Sequence, residues 1–205
     1  MTGLLVMSAS TIQTDFLVIR DQCIWTTKCY NNFNDLYEDD QTLDLLRYSA
    51  AWFFHDMNII LQEYCLLQVG KLTDPVRSMG RENSTIPNLD ARLQAESLWI
   101  PEIADLSAKI MRYRDIIKDS RNRVIAHADK ETFLQNLTVG AHAKQDMQDF
   151  FENLNAYTDA VGNVLGVGAL CYKTCAATGD VTDLISLLGH AHCRFAYTSE
   201  MSRLA

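Results

Sequence analysis

Residues 42–71 read TLDLLRYSAAWFFHDMNIILQEYCLLQVGK, and their spacing decides the fold class. Leu46, Ala50, Phe53, Met57, Ile60, Tyr64 and Leu67 follow one another at alternating steps of four and three residues. That rhythm marks one buried face of an α-helix. Thr42 is the expected N-cap, and Pro75 prevents the helix from continuing.

The same rhythm recurs on either side. Phe16, Ile19, Cys23, Tyr30, Phe33 and Tyr37 predict a helix over about residues 13–38, closed by the acidic break Glu38, Asp39, Asp40. A third helix begins at Pro101, with Glu102 near the positive end of its dipole, and shows Ile103, Leu106, Ile110, Tyr113, Ile117 and Val124 on one face. A fourth carries Met147, Phe150, Leu154, Tyr157, Val161 and Val164. The aromatic stripes of the first, second and fourth helices are assigned to the core. Residues 74–98 mix Pro, Gly, Asn and Ser and read as a loop with one short helix. After Leu165 the pattern weakens through the Gly-broken GVGALCYKTCAATGD, and a fifth helix is expected over about 181–196. No internal repeat and no strand-like alternation is present. The expectation is an all-α antiparallel bundle of four main helices plus accessories.

Bulk composition agrees with this. The 205 residues suit a single domain, 1–205, with one core. Three prolines and nine glycines are too few to punctuate a β-sandwich. The formal charge of -8 excludes indiscriminate binding to polyphosphate, so any nucleic-acid role needs a local basic patch. Six cysteines without a CxxC pair read as buried free thiols in a reducing compartment. The first 14 residues lack a basic start and do not resemble a signal peptide. The uncharged stretch at residues 160–172 is 13 residues, where a bilayer needs about 20. A cytoplasmic protein with no membrane association is expected.

The chemistry concentrates at the end of the third helix, MRYRDIIKDSRNRVIAHADK, residues 111–130. Between Lys109 and Lys130 stand seven basic residues against Asp115, Asp119 and Asp129, a local balance of 7 − 3 = +4. A solvated helix face would account for the charge alone. The cluster adds Arg121, Asn122 and a lone His127. Arg123 and His127 are i,i+4 neighbours, whereas Arg121 lies about 120° round from His127 on a regular helix. Imidazole carries a proton near neutral pH, and guanidinium holds a phosphate through paired hydrogen bonds. An isolated Arg and His at this distance is more often a helix-end pairing.

SRNRVIAHADK, residues 120–130, resembles the signature of HEPN domains: an Arg and a polar residue, then a His after a short spacer. Upstream, VGKLTDPVRSMGRENSTIPNL, residues 69–89, resembles the segment after the second helix in the abortive-infection (AbiU-like) branch of that superfamily. The resemblance spans about residues 15–165 and leaves 166–205 as accessory C-terminal helices. It implies a helical bundle that forms a homodimer and brings two Arg/His sets into one cleft. It further implies a metal-independent endoribonuclease of defence or toxin type, in which the ribose 2′-hydroxyl attacks the neighbouring phosphate. Carried over by position, Arg121, Asn122 and His127 are the catalytic candidates. Arg123 lies within the spacer and is a further phosphate contact, with Arg114, Lys118 and Lys130 completing the RNA-binding patch. Many members of the superfamily are non-catalytic, so a bundle that binds RNA or a protein partner is the alternative. A structural dimer closed by the Arg/His cluster is a third reading. The implied partners are RNA, a second copy, and an antitoxin or regulatory protein.

No cofactor is expected. A di-iron bundle needs Glu three residues before His, and Trp52, Val124, Val139, Leu187 and Gly189 occupy those positions. In the tail, His190, His192, Cys193, Cys171 and Cys175 are of the right type for zinc, but without zinc-binding spacing. His55 is assigned to the core or its edge and His142 to an exposed loop. Walker, dinucleotide and Gly-x-Ser-x-Gly motifs are absent from the sequence.

Overall fold

A computed structural model describes residues 2–120, 143–170, 172 and 177–204. The elements run α1 (Thr2–Tyr37), α2 (Asp40–Leu72), β1 (Arg77–Ser78), β2 (Arg81–Glu82), α3 (Ile86–Ala95), α4 (Pro101–Ser120), α5 (Lys144–Val164) and α6 (Val181–Leu204). The fold is all-α, with a single short hairpin among the described residues. No helix among them is long and apolar enough to cross a membrane.

The chain divides into two compact units. The first takes its described residues from Met1–Thr27 and Leu66–Tyr172. Its core is built from Ile12, Phe16, Ile19 and Cys23 of α1, Val69 and Leu72 of α2, and Leu89 and Leu93 of α3. Ile103, Ile110, Tyr113 and Ile117 of α4 and Phe150, Leu154, Tyr157 and Val161 of α5 complete it. The faces expected for the first, third and fourth helices are the inward ones, with Phe33, Tyr37, Met147 and Val164 only half-buried toward the helix ends. At the edge of this unit Arg92 pairs with Asp15 and approaches Glu96 at 3.8 Å.

The segment after α2 is more ordered than a plain loop. Met79 and Gly80 both adopt positive φ, 49° and 77°, the signature of a two-residue hairpin turn whose twist suits antiparallel strands. Arg77 thereby faces Glu82, and Ser78 faces Arg81. α3 follows with Thr85 as N-cap and a proline in its first turn. It ends with Ser97 at φ 60° and a hydrogen bond from Leu98 N–H to the Leu93 carbonyl, 2.8 Å, a closure that satisfies a terminal carbonyl.

The second unit takes its described residues from Lys28–Cys65 and Lys173–Ala205. Leu36, Leu46 and Phe54 form its core, covered by Tyr37, Leu61, Val181, Ile185 and Leu188. Here the expectation for α2 needs correction. Ala50 leaves helical geometry (φ −160°, ψ 70°) and kinks the helix. The kink resets the rotational phase, so Phe54 points inward while Phe53 is 59% and Ile60 52% exposed. The expected N-cap is also displaced: Asp39 accepts from Thr42 N–H at 2.8 Å and from its hydroxyl at 2.9 Å. His55 is exposed, edge-on to Trp52, and does not belong to the core.

Cys23, Cys29 and Cys65 are buried free thiols, and Cys193 is exposed. Burial pushes Cys23 and Cys65 up to about 12, which keeps them protonated and unreactive at neutral pH.

Candidate functional site

α4 carries the described part of the basic stretch, residues 109–120, and its sequence explains why only one side is buried. Ile103, Leu106, Ile110, Tyr113 and Ile117 recur at helical spacing and are buried. The remaining faces are left to charged residues. Arg114 and Lys118 are i,i+4 neighbours and share a face. Lys118 is exposed, whereas Arg114 is mostly covered and contacts the Asp115 carboxylate at 3.3 Å. Lys109 and Arg112 occupy a different side. Lys109 pairs with Asp105 at 2.7 Å.

Arg121, Asn122, Arg123, His127 and Lys130 lie outside the described residues, as does His142. α4 ends at Ser120, and Arg121 is the next residue in the chain. In the tail, His190 and Cys193 are exposed, and His192 lies against Tyr48 with ring centroids 5.0 Å apart. Among the described residues no three His, Cys, Asp or Glu side chains come together as a metal site.

A buried polar cluster holds α4 against its neighbours. Asp90 of α3 accepts a hydrogen bond from Ser107 Oγ of α4 at 2.5 Å and one from Tyr157 OH of α5 at 2.6 Å. The three side chains sit among apolar residues. Burial raises the Asp90 carboxyl to about 6, against the lowering effect of the two hydroxyl donors. The Tyr157 hydroxyl is pushed well above its usual value by burial and by the adjacent carboxylate. A carboxyl satisfied by two donors fixes three helices in register, because misalignment would strand a buried polar group. Helical periodicity in the sequence does not mark this cluster. The available signal was an acid lodged in NLDARL, between Leu89 and Leu93, on what is the apolar side of α3.

The packing of α4 on α5 also leaves a cleft of about 530 Å³. Lys109, Arg112 and Ile116 line it from α4, and Asp146, Asp149 and Glu152 from α5. Phe150 and Tyr113 close its floor, their ring centroids 4.9 Å apart.

A helical bundle of this order, with a basic helix leading into an Arg, polar residue and His motif, defines a HEPN-class domain. The family model HEPN_AbiU2, described as AbiU2, matches residues 14–184, and the chain belongs to that family. No curated protein and no solved structure matches the chain.

Proposed function

We propose that this AbiU2-family chain is a metal-independent endoribonuclease of defence type. It acts in the cytoplasm as a homodimer, under the control of an antitoxin or regulatory partner. The observation that carries the reading is the family match over residues 14–184 in a chain that keeps Arg121, Asn122 and His127. The local +4 balance of residues 109–130 in a chain of net -8 supports it.

In this reading His127 of one subunit takes the proton of a ribose 2′-hydroxyl. The 2′-oxygen forms a bond to the adjacent phosphorus, and the bond from phosphorus to the 5′-oxygen breaks. His127 of the other subunit delivers a proton to the departing 5′-oxygen. The products are a 2′,3′-cyclic phosphate and a 5′-hydroxyl. Arg121 and Asn122, with Arg123, hold the phosphate and offset the charge that builds on it in the transition state. Lys118, Lys130 and the partly covered Arg114 steer the backbone toward that point.

The reading is tested by incubating mixed tRNA and mRNA with wild type and His127→Ala in EDTA. Cyclic-phosphate ends from wild type alone are expected, with a loss of at least about a hundredfold in the variant. Cleavage retained by His127→Ala overturns the residue assignment. An absence of cleavage by wild type favours the non-catalytic RNA- or protein-binding bundle.

A further inference from the structure

The cleft between α4 and α5 has a cationic wall and an anionic wall that do not neutralise each other. On α4, Lys109 and Arg112 stand at i,i+3 on one face. Lys109 is tied to Asp105, whereas Arg112 is exposed and makes no hydrogen bond or ion pair among the described residues. On α5, one oxygen of Asp149 accepts from Gln145 at 2.7 Å and one oxygen of Glu152 accepts from Gln148 at 3.2 Å. A carboxylate oxygen has two lone pairs, so both oxygens of either carboxylate can still accept a donor from outside. At about 530 Å³ the space falls within the range of small-molecule sites. Its floor is apolar and its rim carries Ile116, 41% exposed.

A ligand suited to both walls presents an anion on one side and hydrogen-bond donors on the other. A polyanionic backbone running through the cleft is excluded by the α5 carboxylates, and a simple cation would be repelled by Arg112. A nucleotide has the required polarity, with phosphate toward α4 and base edge toward α5. Among the bases, guanine presents two adjacent N–H donors that match the two oxygens of a carboxylate. Adenine and cytosine present one amine each, and uracil presents a single N–H flanked by two carbonyl oxygens that the acidic wall repels.

We propose that this cleft is a base-reading subsite for a guanine nucleotide. The phosphate is held by Arg112 with Lys109, the base edge by Asp149 or Glu152, and the base plane rests over Ile116. The proposal deepens the ribonuclease reading by giving the enzyme a preference for guanine beside the cleaved bond, and in that sense rests on it. Binding in the cleft is nonetheless measurable without cleavage.

The test is calorimetric titration of the full chain with guanosine and uridine 5′-monophosphates, repeated on Arg112→Ala, on the double variant Asp149→Asn with Glu152→Gln, and on His127→Ala. All the changed cleft side chains are exposed, so the fold is retained. Guanosine monophosphate is expected to bind about tenfold or more tightly than uridine monophosphate. Arg112→Ala should weaken it about tenfold, the double variant should abolish the preference between bases, and His127→Ala should bind as wild type does. Equal binding of the two nucleotides, or guanosine monophosphate binding indifferent to Arg112→Ala, overturns the subsite. Cleavage without guanine preference sinks this proposal alone. Guanine-selective binding by a chain that cleaves nothing supports the subsite and counts against the ribonuclease.

Discussion

At the scale of single residues, Asp90 links folding to pH in the acid range. Its folded value of about 6 lies above the ordinary carboxyl value of 3.8. The folded state therefore favours the protonated form, and this group's contribution to stability is full below about pH 4 and is lost as pH rises through about 6. The difference corresponds to about 2–3 kcal/mol between pH 4 and 7. Asp39 and Asp180 are held below their usual values by hydrogen bonds from Thr42 and Thr182. They act in the opposite sense, stabilising above their unfolded values and losing that contribution as pH falls. Wild type alone would thus blur the effect, and the comparison with Asp90→Asn isolates it. Asparagine keeps an acceptor for Tyr157 and can donate to the Ser107 hydroxyl, but it cannot titrate. In urea denaturation the variant should be less stable than wild type at pH 4, and should gain on it by about 2–3 kcal/mol by pH 7. A difference that stays constant with pH would mean that Asp90 titrates as an ordinary surface carboxyl.

At the scale of elements, the C-terminal end of α5 turns on two glycines. Gly166 sits at φ 70° just past the helix, and the Val167 N–H reaches back to the Gly162 carbonyl at 2.8 Å. The chain then folds so close that a Cβ on Gly162 would collide with the Gly168 carbonyl oxygen. Alanine is ordinarily favoured over glycine inside a helix by about 0.5–1 kcal/mol. At Gly162 the sign should reverse, with Gly162→Ala destabilising by about 1–3 kcal/mol as the turn is forced outward. A variant as stable as wild type in the same denaturation assay would show that the turn yields without cost. The elements also show what sequence periodicity can reach. α4 begins at Pro101 and α6 at Val181, as their composition indicates, because caps and apolar spacing act locally. In α2 the spacing through Phe53 and Ile60 misleads, because one non-helical residue, Ala50, rotates everything after it. The hairpin at Met79 and Gly80 was hidden by its length, since two-residue strands have no period to detect. Asp90 was equally hidden, because its partners Ser107 and Tyr157 lie far along the chain and only the folded core brings them together. The Arg/His motif is a local pattern in the sequence that lies outside the described residues, and Lys118 and Arg114 are the members of its patch whose surroundings the structure describes.

At the scale of the whole molecule, the decisive quantity is where charge sits in a chain of net -8 and isoelectric point near 5.0. Such a molecule repels RNA everywhere except where cations are concentrated. Binding should therefore be local and its salt dependence shallow. For single strands the logarithm of affinity falls with the logarithm of salt at about −0.7 per phosphate neutralised. The seven basic residues of 109–130 set the steepest slope at about −5 if every one meets a phosphate. Lys109 and Arg114 already contact carboxylates, so the expected slope lies between about −2 and −4. It is best measured with His127→Ala, which on the proposed mechanism leaves the RNA uncut, using a single-stranded oligonucleotide over a range of potassium chloride. Lys118→Ala and Arg123→Ala should each make the slope shallower by about 0.7, without changing the ranking of RNA sequences. Arg112→Ala should act differently, lowering affinity most for guanine-containing strands, because its phosphate is the one whose base is read by α5. A slope steeper than about −5 would require cations beyond this stretch, and a slope near zero would remove RNA from the function of this surface.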